Sequence, residues 1–173
     1  MTQTAPLHLA VIGLGANLGN PSTALRDAVA RLSAHPQTAD WQVSPYYRSA
    51  PVGSDAVQPD YINAVASCRT DLAPEAMMQW LLDIERQFGR DRSHEVGRNA
   101  PRTLDLDLLI YDTLSMHTDL LTLPHPRLHQ RAFVLRPLLD LMPDIQLPTL
   151  GRLDRYLPEV ADQAIERLPA QSV

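Results

Sequence analysis

The stretch Thr103-Leu104-Asp105-Leu106-Asp107-Leu108-Leu109-Ile110-Tyr111 alternates apolar and acidic residues between Pro101 and Asp112, and it reads as a β-strand. Side chains of a strand point alternately to its two faces, so Leu104, Leu106, Leu108 and Ile110 are expected on a buried face and Asp105 and Asp107 on the other. Upstream, Pro74 opens a helix whose Met77, Met78, Leu81, Ile84 and Phe88 form an apolar stripe that Gly89 ends. The methionines of that stripe read as core filler. Before the helix, Tyr61 to Thr70 alternates again, with Ile62, Ala64, Ala66 and Cys68 inward and Tyr61, Asn63, Val65, Ser67 and Arg69 outward. Residues 50–59, with Pro51, Gly53 and Pro59, have turn chemistry and read as a loop, preceded by a β-rich stretch from Trp41 to Ser49. Asn20 caps a first helix with Pro21 at its opening position and Leu25, Ala28, Val29 and Leu32 on one face. The apolar run Leu7 to Leu14 reads as the first strand, and the glycines that follow it as tight-turn residues.

The order β-α-β-β-α-β predicts an α+β chain with a ferredoxin-like antiparallel sheet, helices packed on it and extra C-terminal elements. Leu120 to Leu123 is expected as a short strand, and Arg127 to Leu135 as a helix that Pro137 stops or kinks. Arg90 to Ala100 is polar and aperiodic and reads as a mobile loop. No period assigns the segment from Gly151 onward.

At 173 residues and 19.3 kDa a single domain is expected, and folding should bury roughly 70% of the unfolded surface. A formal charge of −5 argues against affinity for nucleic acid or an anionic membrane through a broad basic surface. The lone Cys68 excludes an internal disulfide, and no stretch reaches the ~20 apolar residues that span a bilayer. A cytoplasmic, monomeric protein is the expectation. All 15 cationic side chains are Arg, which excludes any mechanism that needs an amine, from a Schiff base to a Walker A lysine. Any phosphate must therefore be held by Arg, backbone N–H groups or a metal.

The paired aspartates and the arginines before them carry the chemistry. Asp105 and Asp107 stand about 7 Å apart at Cα by strand rise. Hard oxygen ligands on one wall suit Mg²⁺, which keeps waters and shares phosphate ligands. Five of the 15 Arg (Arg86, Arg90, Arg92, Arg98 and Arg102) fall between positions 86 and 102. Guanidinium groups beside a carboxylate-bound metal can neutralise charge moving along a polyphosphate, so the combination points to phosphoryl-type transfer. Surface ion pairing with Glu85, Asp91 and Glu95 is the competing reading of the same arginines. Asp60-Tyr61-Ile62-Asn63 offers a ring to stack on a flat heterocycle and an amide to read its edge, with Phe133 as a second ring. His125 and His129 lie four apart as in a helical zinc site, but no Glu stands between them, and a phosphate donor is the better reading of His125. Gly13 to Gly19 follows a strand and precedes a helix, yet its spacing fails that of a dinucleotide-binding loop.

Over Arg98-Asn99-Ala100-Pro101-Arg102-Thr103-Leu104-Asp105-Leu106-Asp107-Leu108-Leu109 the chain closely resembles the 6-hydroxymethyl-7,8-dihydropterin pyrophosphokinase family of folate biosynthesis. The likeness extends to Gly13 to Gly19, Tyr47 to Gly53, Gln58 to Ala64, Leu123 to Pro126 and Arg131 to Leu135. It implies that ATP, as co-substrate with two Mg²⁺ ions, gives its pyrophosphoryl group to the pterin's hydroxymethyl oxygen and leaves as AMP. It also implies site residues. Asp105 and Asp107 would hold metal and act with Arg90, Arg92 and His125 in catalysis, and Arg90 and Arg92 would lie on a lid that closes over ATP. Arg102, Leu108, Thr122, His125 and Arg131 would contact the nucleotide. Tyr61 and Phe133 would sandwich the pterin, with Asn63 at its edge and Ser49, Ala50 and Val52 lining its pocket. Ala16, Ala50, Asn99, Leu120 and Pro126 depart from the family's pattern. A metal-dependent phosphohydrolase and a ferredoxin-like single-strand RNA binder are the alternatives. The RNA reading is weakened by the negative charge and the small aromatic content of 5%.

Overall fold

The computed structural model of the chain describes residues 7–51, 57–90 and 102–170. In chain order the elements are β1 (His8–Ala16), α1 (Pro21–Ser33), β2 (Thr38–Val43), β3 (Tyr47–Ser49), β4 (Tyr61–Thr70), α2 (Pro74–Gln87) and β5 (Asp105–Tyr111). They continue with β6 (Met116–His117), β7 (Thr122–Leu123), α3 (Ala132–Leu141), β8 (Gln146–Leu147), β9 (Gly151–Arg152), a 3-10 helix (Leu153–Val160) and β10 (Ile165–Arg167). The main sheet runs β10-β3-β4-β1-β5, with β2 also on β4, and every pairing is antiparallel. The chain is thus a mixed α+β protein built on an antiparallel sheet.

Both faces of the sheet are covered. Ala10, Ile12, Leu14, Ala64, Ala66, Cys68, Leu106 and Leu108 pack on Leu25 and Leu32 of α1 and on Met77, Leu81 and Ile84 of α2. Val11, Val65, Leu109 and Ile110 pack instead on Leu135 and Leu138 of α3 and on Leu153 and Val160 of the 3-10 helix. Both early helices begin as expected: the Asn20 side chain accepts the Thr23 N–H at 3.2 Å, and Pro21 and Pro74 open α1 and α2.

Four expectations are corrected. Ile110 does not share a face with Leu108: Val11 pairs with Ile110 but Ile12 pairs with Leu108, leaving Leu109 as an extra residue. That bulge turns Leu109 and Ile110 together toward α3. The β-rich stretch expected from Trp41 to Ser49 is two strands, because Pro45 has no N–H for the ladder. There the Ser44 N–H donates to the Val65 carbonyl and the Ser44 hydroxyl accepts the Val65 N–H, each at 2.9 Å, which keeps the β4 backbone bonded across the break. The third helix starts at Ala132, after turns over 126–130, and runs through Pro137 to Leu141. Finally, Gly13 and Gly15 lie within β1, so only Gly19, with φ of 65°, is a turn glycine in that motif.

Candidate active site

A cavity of about 290 Å³ opens on the α3 side of the sheet. Its floor is β1, where Gly13 pairs with Asp107 on one neighbour and Val65 on the other, and Gly15 with Asp105 and Asn63. The missing side chains make the space. A Cβ on residue 15 would meet Asn63 Oδ1 at 3.2 Å, and one on residue 13 would meet Leu109 at 3.4 Å. Ser49, Ala50, Tyr61 and Asn63 line one side, Arg102, Asp105 and Asp107 another, and Arg131 and Phe133 the α3 side. The structure therefore brings nine of the expected site residues to one cavity.

The acidic pair is approached by cations. Arg102 Nη1 donates to Asp105 Oδ2 at 2.8 Å, and Arg90 Nη1 donates to Asp105 Oδ1. Burial lowers the Arg131 pKa, and Asp107, which lines the same cavity, is the largest influence opposing it. Asn63 is held by its Nδ2, which donates to Ser49 Oγ at 2.8 Å. Its Oδ1 points at the floor left open by Gly15. The Arg131 guanidinium lies 5.4 Å from the Phe133 ring centroid, a cation–π spacing.

His125 is buried enough that its pKa falls to about 4, with burial the largest cause, Arg131 and Arg127 adding to it and Asp105 opposing. Its Nδ1 accepts the Arg127 N–H at 3.1 Å, so the neutral ring carries its proton on Nε2. At neutral pH it is an uncharged donor.

Arg90, expected on a lid, is only 6% exposed, and its guanidinium also reaches Glu85 at 3.0 Å and the Leu104 carbonyl. It sits beneath the acidic strand, and the ion pair with Glu85 is a buried one, not a surface one. Leu108 is buried in the α1/α2 face of the core, away from the cavity. Thr122 bonds its Oγ1 to His117 Nδ1 at 2.7 Å, and neither it nor His125 is among the described lining residues. His129 packs against Tyr156, the ring centroids 4.8 Å apart and the planes tilted by 57°. Among the described residues no three His, Cys, Asp or Glu converge as a metal cluster. Arg92 and Val52 lie outside the described residues.

A family model for 7,8-dihydro-6-hydroxymethylpterin-pyrophosphokinase (HPPK) matches residues 11–143. The chain belongs to this family. A 2-amino-4-hydroxy-6-hydroxymethyldihydropteridine pyrophosphokinase of Synechocystis sp. is 41% identical over 155 residues, covering 90% of this chain and 77% of that one. Its counterpart in Pseudomonas aeruginosa is 40% identical over 158 residues, covering 91% and 95%. Among solved structures, an HPPK-DHPS in complex with substrates superposes with a TM-score of 0.69 at 13% identity. It is matched over 90% of this chain and 43% of its own. A Plasmodium falciparum HPPK-DHPS with pteroate gives 0.68 at 12%, over 96% and 47%. The chain spans under half of those two solved chains, and at these identities the likeness is one of fold.

Four residues of this HPPK site escape a residue-by-residue reading of the sequence. Asn17 is 1% exposed and ties three segments: its Nδ2 donates to Gln58 Oε1 and the Pro59 carbonyl at 2.8 and 3.0 Å, and its Oδ1 accepts the Arg102 N–H at 2.8 Å. An asparagine just past a strand signals only a turn. Arg127, Gln130 and Gln163 also line the cavity. Gln163 comes from the unassigned tail, and nothing in its neighbours marks it.

Proposed function

We propose that the chain transfers the pyrophosphoryl group of ATP to the hydroxymethyl oxygen of 6-hydroxymethyl-7,8-dihydropterin and releases AMP. The observation that carries this is the convergence of two rings, a buried carboxamide and two aspartates on one cavity, in a chain of the HPPK family. The cavity volume lies at the lower edge of the range for small-molecule sites, enough for one flat heterocycle. Tyr61 and Phe133 supply ring faces for it, and Asn63 Oδ1 accepts an N–H from its edge while Ser49 fixes the carboxamide's orientation.

The donor set fits magnesium. Asp105 and Asp107 are half-buried, share a face and offer only oxygen, and a cation that retains water and shares phosphate ligands needs no larger protein cluster. When bound, Mg²⁺ would supply Lewis-acid stabilisation of charge on the triphosphate. The chain's own groups do the rest. Arg102, Arg127 and Arg131 bind phosphate oxygens, which no lysine is present to do, and neutral His125 adds a hydrogen bond without adding charge. One carboxylate of the pair receives the hydroxyl proton as the pterin oxygen attacks. Arg90 acts by holding Asp105 in place, and Arg92 adds a further guanidinium for the nucleotide's phosphates.

The strand order β5-β1-β4, with β2 and β3 both on β4, supports a ferredoxin-like core within a single domain. In this reading the protein works as a monomer in the cytoplasm. No helix among the described residues is long and apolar enough to cross a membrane. The deciding experiment is incubation with Mg²⁺, ATP and the hydroxymethyl dihydropterin, following AMP. AMP that forms only with pterin supports the transferase; hydrolysis without pterin supports a phosphohydrolase instead.

A further inference from the structure

We propose that Gln163 is a positioning residue for the cavity's α3 wall, a role that rests on the pterin-binding reading above. The family match ends at residue 143, and Gln163 lies twenty residues past it, yet it lines the cavity. Its Oε1 accepts the Ala132 N–H at 2.8 Å, and its Nε2 donates to the Gln130 carbonyl at 2.9 Å. One carboxamide thus grips the backbone on both sides of Arg131.

That grip matters because α3 begins without a cap of its own. Arg131 is the N-cap residue, in an extended conformation, and its side chain makes no capping bond. The first N–H groups of a helix have no partner within it, so an acceptor from elsewhere fixes where the helix starts and how it enters. Gln163 supplies that acceptor from 31 residues away. The residue it clamps carries the guanidinium of the cavity, and Phe133, two residues on, carries the ring beneath that guanidinium.

The clamp is itself anchored to the opposite wall. The Gln163 N–H closes a turn on the Val160 carbonyl at 3.1 Å, and two residues later Ile165 pairs with Ser49, the partner of the Asn63 carboxamide. The tail therefore sets the spacing between the Asn63 side and the Phe133 side, the gap a flat ring would fill. Asp162 and Ala164 beside it are exposed and Gln163 itself is half-buried.

The test compares the full chain with Gln163→Leu, Gln163→Glu and Gln163→Asn. It measures affinity for 6-hydroxymethyl-7,8-dihydropterin by calorimetry with Mg²⁺ and a non-hydrolysable ATP analogue, alongside KM, kcat and melting temperature. Gln163→Leu loses both bonds and should weaken pterin binding about fivefold or more, raising KM more than it lowers kcat. Gln163→Glu keeps the acceptor for the Ala132 N–H but turns a carboxylate oxygen on the Gln130 carbonyl in place of the donor, so it should bind pterin less tightly than the original. Gln163→Asn is too short to span both contacts and should behave as Gln163→Leu, which keeps the test open if the leucine variant folds poorly. Pterin binding unchanged in both the Leu and Asn variants, or a kcat that falls while KM stays put, overturns the proposal. An unaltered protein that binds no pterin instead overturns the proposed function, and this role with it.

Discussion

Glu85 accepts the backbone N–H of Leu106 at 2.8 Å, at the residue that separates the two aspartates of β5. β5 is an edge of the main sheet, so this amide takes its partner from a side chain at the end of α2. The same Glu85 oxygen receives Arg90 at 3.0 Å, and Arg90 in turn holds Asp105. A buried carboxylate thus joins the helix end, the strand backbone and the acidic pair.

Removing one partner from such a network leaves the others desolvated. Glu85→Ala should destabilise the protein by about 3–5 kcal/mol in urea unfolding. Glu85→Gln keeps the acceptor oxygen and should cost less, about 1–3 kcal/mol. An alanine variant within about 0.5 kcal/mol of the original, the scale of an ordinary surface change, would show that Glu85 is no keystone.

Gly15 gives a second prediction. Because a Cβ there meets Asn63 Oδ1 at 3.2 Å while one at Gly13 meets only the movable end of Leu109 at 3.4 Å, the two glycines should differ. Gly15→Ala should displace the carboxamide from Ser49 and raise the pterin KM about tenfold, ~1.4 kcal/mol, with a smaller rise for Gly13→Ala. Equal KM values for the two variants would mean that Asn63 does not read the substrate.

What the sequence could and could not reveal follows from the range of the interactions. The Asn20 cap, the prolines opening α1 and α2 and the leucine–aspartate alternation are local and were readable. The bulge at Leu109 was not, since it arises from the register between β1 and β5, and consecutive apolar residues carry no mark of which one is extra. Gly13 and Gly15 read as turn residues because glycine is commoner there; their use as an open floor depends on Asn63 and Leu109 from other strands. Glu85 was visible only as a possible partner for nearby arginines, and its burial follows from the packing of α2 on β5. Gln163 acts across 31 residues and leaves no local signal.

The aspartates should separate in their effects. Asp107→Asn should lower turnover at least about 100-fold, ~2.7 kcal/mol, if this carboxylate binds the cation and stabilises charge on the reacting phosphates. Asp105→Asn should do the same and also lower the melting temperature, because Asp105 answers the guanidiniums of Arg90 and Arg102. Turnover by either variant within about twofold of the original at saturating Mg²⁺ would remove that residue from the reaction.

His125 predicts a pH dependence of stability. Its pKa is lowered from 6.5 to about 4 in the folded chain, foremost by burial and then by Arg131. Between those values the unfolded chain binds a proton that the folded one does not, so stability rises with pH across that window. The contribution is complete above 6.5 and is lost as the pH falls toward about 4. His125→Gln keeps a polar side chain but cannot titrate. The difference between the two stabilities cancels the titrations that the two proteins share and leaves that of the imidazole. Urea midpoints measured across that range should show the advantage of the histidine protein over the variant shrinking steadily as the solution is acidified. Parallel curves would place His125 in contact with solvent, and the neutral donor assigned to the phosphates would have to be found elsewhere.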